Sequence, residues 1–216
     1  MVRLFDALEY MLDAVIPLRA RAARTKNRTL DDIPLCPTEH DLLGGHITTI
    51  MDYRESAVQD LIRALKYDGS GHAAQIAGEL LAEYLREEIA SLKLFSTRKI
   101  LIVPLPLHQS RLRERGFNQI GIVLDHLPSE FKDGTIATLA PHALTRVRAT
   151  EQQTHLSRAE RIKNVAGAFA VPDTNLDGTH VFLIDDVATT GATLVNAAKP
   201  LEKAGAEVTL LALARA

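Results

Sequence analysis

Cysteine is almost absent from the chain. Cys36 is the only one among 216 residues, so no intramolecular disulfide forms and no multi-cysteine zinc site exists. That pattern fits a reducing compartment, and no zinc is expected. Long apolar runs are missing as well: nothing approaches the roughly 20 apolar residues that span a bilayer. In the opening stretch MVRLFDALEYMLDAVIP, the acids Asp6, Glu9 and Asp13 interrupt every apolar run and leave no signal-peptide core. The reading is a cytoplasmic chain without membrane insertion. An excess of one charge is also lacking. With 25 basic against 27 acidic side chains and a net charge of −2, a protein that grips nucleic acid over its whole surface is excluded. A composition of 46% hydrophobic and 24% charged residues excludes collagen and wholesale disorder.

What is present alternates between two periods. Leu4, Leu8, Met11, Leu12 and Val15 recur at helical spacing. A basic arm follows, with Arg19, Arg21, Arg24, Lys26 and Arg28; it reads as a solvated arm, with contact to a phosphate backbone as the alternative. Residues 29–45 are rich in Asp, Pro and Gly and read as a linker. The expected organisation is therefore a helix and basic arm over 1–45 and a main domain over 46–216. Helices are expected over 57–66, 73–92, 118–127 and 194–203. Strands are expected from Lys99 to the prolines Pro104 and Pro106, over 143–147, 168–171 and 180–187, and from Glu207 onward. A polar Arg-rich loop follows Pro106, and Ser157 with Glu160 makes a capping box. Strands alternating with helices give an α/β fold with a mostly parallel sheet flanked by helices.

The informative segment is VFLIDDVATTGATL, residues 181–194. Four apolar residues lead to Asp185 and Asp186. Val187, Ala188, Thr189, Thr190, Gly191, Ala192 and Thr193 then run into a helix start. Open α/β sheets bind ligands at the carboxyl ends of their strands, and helix N-termini suit anions. Gly191 is expected where the backbone meets a phosphate, so that a side chain there fills the phosphate position. The two acids are expected to hold sugar hydroxyls or a hydrated Mg²⁺; a plain turn opened by two aspartates is the structural alternative. No lysine follows the glycine as in the Walker loop, and the dinucleotide fingerprint is absent. The eight histidines show no metal-ligand spacing.

This segment closely resembles the phosphoribosyl-diphosphate motif of type I phosphoribosyltransferases. VPLPLHQSRLRERGFNQ, residues 103–119, resembles a signature of the ComF family, as does TRVRATEQQTHLSRAERIKNVAGAFAV, residues 145–171. LIRALKYDGSG, residues 61–71, is similar to that family's helix ending in a Lys-Tyr pair. The resemblance implies a type I phosphoribosyltransferase-like fold that binds 5-phosphoribosyl 1-diphosphate with Mg²⁺. It implies transfer of the phosphoribosyl group to a nitrogen nucleophile with release of diphosphate. Asp185, Asp186, Arg146 and Arg148 would then be catalytic, and residues Val187 to Thr193 would anchor the 5′-phosphate. Leu107, His108, Arg111, Arg115, Gly116, Asn118, Gln119 and Lys66 would complete the substrate site. Mg²⁺ would be held through the ligand, with Asp185 and Asp186 as its protein contacts. The polar segment with Gln152, Gln153, Arg158, Arg161, Lys163 and Asn164 reads either as a lid or as a solvated face. Family members usually begin with a four-cysteine zinc ribbon, which this chain lacks. The alternative function is a non-catalytic ligand-binding or DNA-handling factor linked to competence, with single-stranded DNA or a DNA-uptake protein as partner. The acceptor and a homodimeric state are left open.

Overall fold

The computed structural model describes residues 25, 27–148, 167–172 and 175–216. The amphipathic stretch at 4–15, Arg19, Arg21, Arg24, Lys26, the capping box and the polar segment with Gln152 to Asn164 lie outside the described residues.

Eight strands are described: β1 (Thr38–Leu42), β2 (Gly45–Asp52), β3 (Lys99–Pro104), β4 (Thr138–Leu139), β5 (Thr145–Arg146), β6 (Phe169–Ala170), β7 (Thr179–Ala188) and β8 (Glu207–Arg215). Six of them form one sheet in the order β1-β2-β8-β7-β3-β4. Only β1–β2 is antiparallel; the other pairings run parallel. The fold is thus α/β with a mostly parallel sheet, as the alternation of elements implied. β7 holds the centre because its run is apolar on both sides. Phe182 and Ile184 enter one core and Val181 and Leu183 the other, the pattern of a parallel strand covered on both faces.

Helices α1 (Ser56–Arg63), α2 (Gly71–Phe95) and α4 (Gln119–Asp125) cover the first face. Helix α5 (Ala192–Lys203) covers the second through Leu194, Ala197 and Leu201. The long α2 starts where Ser70 accepts a hydrogen bond from the Ala73 amide at 3.3 Å. No helix among the described residues is long and apolar enough to cross a membrane.

Three local readings change. First, part of the stretch read as a linker is strand β1, and β2 follows where no strand was expected. TEHDL is a polar, largely exposed edge strand, and edge strands carry the charged residues that also mark loops. The hairpin turns through Leu43 and Gly44, at φ 54° and 79°, as a two-residue hairpin loop requires. Second, the Arg-rich segment is not a loop but helix α3 (Gln109–Arg115). His108 Nδ1 accepts from the Ser110 amide at its start, and Gly116, at φ 80°, ends it. Third, the end of the basic arm is docked. Arg28 pairs with Asp60 at 3.6 Å, its carbonyl lies 3.0 Å from His72 Nε2, and Thr25 is buried.

Candidate functional site

The site lies where β3 and β7 end side by side. Pro104 is in register with Ile184, and the Leu105 amide donates to the Ile184 carbonyl at 2.8 Å. The chain leaving β3 therefore passes Asp185 as it enters Leu107, His108 and α3. Asp185 and Asp186 are the seventh and eighth residues of β7 and are both half-buried. Each carboxylate turns back on the backbone: Asp185 Oδ1 accepts from the Asp186 amide, and Asp186 Oδ1 from the Val187 amide, both at 2.8 Å. Burial first, and then the charge of Asp186, hold the Asp185 carboxyl well above the usual carboxylate range; Arg146 pulls it partway back.

Val187 and Ala188 complete β7, Thr189 and Thr190 form the bend, and Gly191 caps α5 at φ 74°. Thr190 Oγ1 accepts from the Ala192 amide at 3.4 Å. This stretch lines a concavity of about 40 Å³. That is room for one small group and far below the roughly 300 Å³ or more of a whole-ligand pocket. A helix leaves its first amides without intrahelical acceptors, and here that of Ala192 is taken up by Thr190. One expectation is corrected. A Cβ at Gly191 would point at the β1–β2 hairpin, 2.6 Å from Ile47 Cδ1 and 2.8 Å from Leu42 Cβ, so a side chain there meets the hairpin.

The other residues arrive from two sides. On the β3 side, His108 caps α3, Arg111 and Arg115 belong to that helix, and Gly116 ends it. Asn118 Nδ2 donates to the Leu105 carbonyl at 3.2 Å and so ties the start of α4 to the end of β3. Gln119 is 3% exposed, and its Nε2 has no hydrogen-bond partner. Lys66 sits in a π-helical turn (Ala64–Asp68), with Nζ 5.6 Å from the Tyr67 ring. That turn meets the segment after α3, because a Cβ at Gly69 would lie 2.9 Å from Phe117 Cε1. On the other side, Arg146 stands on β5, which pairs with β6, and its guanidinium carbon lies 5.3 Å from the Phe169 ring centre. Arg148 follows β5 and is exposed. Among the described residues, no three or more His, Cys, Asp or Glu side chains are grouped to hold a metal, and Cys36 is exposed.

The sequence reading missed the hairpin residues Leu42 and Ile47 that back the turn. The available signal was Leu-Gly-Gly at 43–45 beside the apolar positions of ITTIM.

The chain is 30% identical over 198 residues to the DNA utilization protein YhgH of Escherichia coli O6:H1, covering 87% of this chain and 83% of that protein. It belongs to the ComF family. Competence protein F of Haemophilus influenzae is 38% identical over 118 residues, 53% of this chain and half of that protein. Competence protein ComFC of Bacillus subtilis is 34% identical over 113 residues, 52% of this chain and 42% of that protein. No family profile matches the chain. Among solved structures, a hypoxanthine phosphoribosyltransferase from Staphylococcus aureus aligns at a TM-score of 0.39 and 11% identity, over 68% of this chain and 74% of that one. An orotate phosphoribosyltransferase from Mycobacterium tuberculosis aligns at 0.37 and 12%, over 90% and 95%.

Proposed function

We propose that this ComF-family protein binds 5-phosphoribosyl 1-diphosphate with Mg²⁺ and transfers its phosphoribosyl group to a nitrogen nucleophile. The observation that carries the reading is the placement of Asp185 and Asp186 at the end of the central strand, directly before a Thr-Thr-Gly-Ala-Thr helix start. A terminal phosphate suits the amides and hydroxyls of Thr189 to Thr193. The ribose hydroxyls suit the two carboxylates, which then stand next to the anomeric carbon. In the reaction, the bond from C1 to diphosphate breaks, the C1–N bond forms, and the nitrogen passes its proton to the departing diphosphate or to water. Positive charge grows on the ribose as in other glycosyl transfers, and the acids stabilise it. The diphosphate falls toward α3 and the loop after β3, a segment whose sequence includes Arg111 and Arg115, and arginine is the residue type that pairs bidentately with phosphate oxygens.

A hydrated Mg²⁺ fits the donor set. Asp185 and Asp186 offer hard oxygens, and the upward shift of Asp185 marks a place short of positive charge. When bound, it neutralises part of the diphosphate charge. Arg146, which already acts on Asp185, would steady the acidic pair from the β5 side, with Arg148 beyond it; Lys66 approaches from the π-helical turn.

The test is diphosphate release from 5-phosphoribosyl 1-diphosphate with Mg²⁺ against a panel of amines and nucleobases, alongside calorimetric binding. Acceptor-dependent release is expected. Binding without release from any acceptor would favour a second reading, a ligand-binding factor in DNA handling. That reading draws on the names of the relatives, DNA utilization protein and competence protein.

A further inference from the structure

A cavity of about 350 Å³ opens at the other end of the sheet, where β3, β7 and β8 begin and α2 ends. Its floor is a row of three residues in register on adjacent strands: Ile100 on β3, His180 on β7 and Glu207 on β8. Leu92 and Phe95 line it from the last turn of α2, and Arg98 from the short connection to β3. Ser96 Oγ accepts from the Arg98 amide at 3.2 Å, which fixes that connection. His180 is the second residue of β7 and Asp185 the seventh, so about 17 Å of strand separates the cavity from the acids. Its volume lies at the lower end of the range of small-molecule sites, roughly 300–1,000 Å³, which suits a ligand of one or two rings.

Three groups face this space with bonding capacity unspent. His180 is 4% exposed; its Nε2 lies 2.9 Å from Thr209 Oγ1, while Nδ1 has only Glu207 Oε1, at 3.9 Å, beyond hydrogen-bond reach. A single nitrogen or oxygen atom seated between them reaches both. Arg98 Nε lies 3.2 Å from Glu207 Oε2, and its two terminal amino groups form no hydrogen bond with the described residues. A carboxylate oxygen beside guanidinium N–H groups is the complement of an amide edge, an N–H next to a C=O. The two charges offset each other, which favours an uncharged ligand over an anion. The walls suit a flat ring. Leu92 and Ile100 are apolar, and Phe95, 90% exposed, leaves its ring open for another ring to stack on.

We propose that this cavity is a second ligand site, which takes a small uncharged heterocycle with an amide edge, the chemistry of an oxopurine or oxopyrimidine base. The ring N–H donates to Glu207, the C=O accepts from Arg98, and the ring stacks on Phe95. A ligand here is held apart from the proposed reaction and is not its acceptor.

Calorimetry with hypoxanthine on the full chain tests the assignment, with benzimidazole as a flat bicycle that has the N–H and lacks the C=O. Hypoxanthine is expected to bind the parent with a Kd of about 1 mM or tighter, and benzimidazole about tenfold more weakly. Arg98→Met, which keeps the stem and removes the guanidinium, should weaken hypoxanthine about tenfold. Phe95→Ala should weaken it about threefold or more. In both variants ribose-5-phosphate affinity should stay within about twofold of the parent. A parent that does not bind hypoxanthine at about 1 mM overturns the assignment. So does benzimidazole binding as tightly as hypoxanthine. Hypoxanthine affinity within about twofold of the parent in Arg98→Met puts the base elsewhere on the chain and overturns it too; should that variant fail to fold, the same result in Phe95→Ala does so equally. None of these outcomes bears on the function proposed above, which ribose-5-phosphate and 5-phosphoribosyl 1-diphosphate read separately.

Discussion

Gly191 is packed against Leu42: a Cβ added to the glycine would lie 2.8 Å from the leucine Cβ and 3.3 Å from its Cδ1. The glycine that opens α5 thus answers two demands at once. Its φ of 74° is the left-handed conformation that L side chains rarely adopt, and the hairpin closes over the place where a side chain would go. The Thr-Thr-Gly turn and the β1–β2 hairpin are one packed unit.

Gly191→Ala is therefore expected to lose stability, by roughly 2–4 kcal/mol from backbone strain and overpacking together. Ribose-5-phosphate affinity should fall with it, because the hairpin is pushed away. Ile47→Val placed on top, which removes the Cδ1 atom 2.6 Å from the added Cβ, should recover part of the loss. A double-mutant cycle on thermal unfolding reads this as a favourable coupling of about 0.5 kcal/mol or more; strictly additive losses would mean that the contact does not matter.

At the opposite end of the sheet, His180 is 4% exposed, with Nε2 2.9 Å from Thr209 Oγ1 and Nδ1 3.9 Å from Glu207 Oε1. Burial holds its pKa below the ordinary 6.5; Glu207 offsets part of this and Arg98 adds to it. The unfolded chain then takes up a proton near pH 6.5 that the folded chain refuses until lower pH. Stability is expected to be full above that value and to fall as the pH drops below it. His180→Gln should flatten the slope of the thermal midpoint between about pH 6.5 and 5. An unchanged slope in that variant would assign the acid sensitivity elsewhere.

How much of this was legible in the sequence follows the physics of each signal. The central strand, the acidic pair and the turn were read directly, because VFLI is apolar on both faces and is followed at once by groups that such strands carry toward ligands. The hairpin was not, since Thr38 to Leu42 form an edge with one wet side, and Glu39, His40 and Asp41 look like loop residues until Ile47 and Leu210 are seen beside them. Helix α3 was hidden by its arginines. Its real signals were local, His108 at the start and Gly116 at the end. The direction of the missing side chain at Gly191 was beyond reach, because it depends on residues some 145 positions earlier in the chain.

Asn118 joins α4 to the end of β3 through its bond to the Leu105 carbonyl. Asn118→Ala is expected to cost about 0.5–1.5 kcal/mol, a drop of roughly 2–4 °C in thermal midpoint per kcal/mol for a chain of this size. Since the loop it ties down leads to His108 and α3, diphosphate affinity should fall more than ribose-5-phosphate affinity. Equal losses for the two ligands, measured by calorimetry, would make Asn118 a general fold residue.

Asp185 gives the sharpest pH test. Its pKa in the folded chain is raised above the ordinary 3.8 by burial and then by the charge of Asp186. Below pH 3.8 the carboxyl is protonated in both states and costs nothing. As the pH rises, the unfolded chain ionises first, so folding loses stability progressively until the pH passes the folded value. At pH 7 the parent therefore carries a penalty that Asp185→Asn removes. The variant should melt at higher temperature than the parent at pH 7, and the two curves should converge toward pH 4. Mg²⁺ with diphosphate should raise the midpoint of the parent and do much less for Asp185→Asn, because the variant has lost the charge that the cation relieves. Diphosphate release, if present in the parent, should fall sharply in the same variant while ribose-5-phosphate binding changes little. A variant that is no more stable than the parent at pH 7 would mean that solvent or Arg146 already compensates the acid, and Asp185 would then be an ordinary ionised strand-end carboxylate.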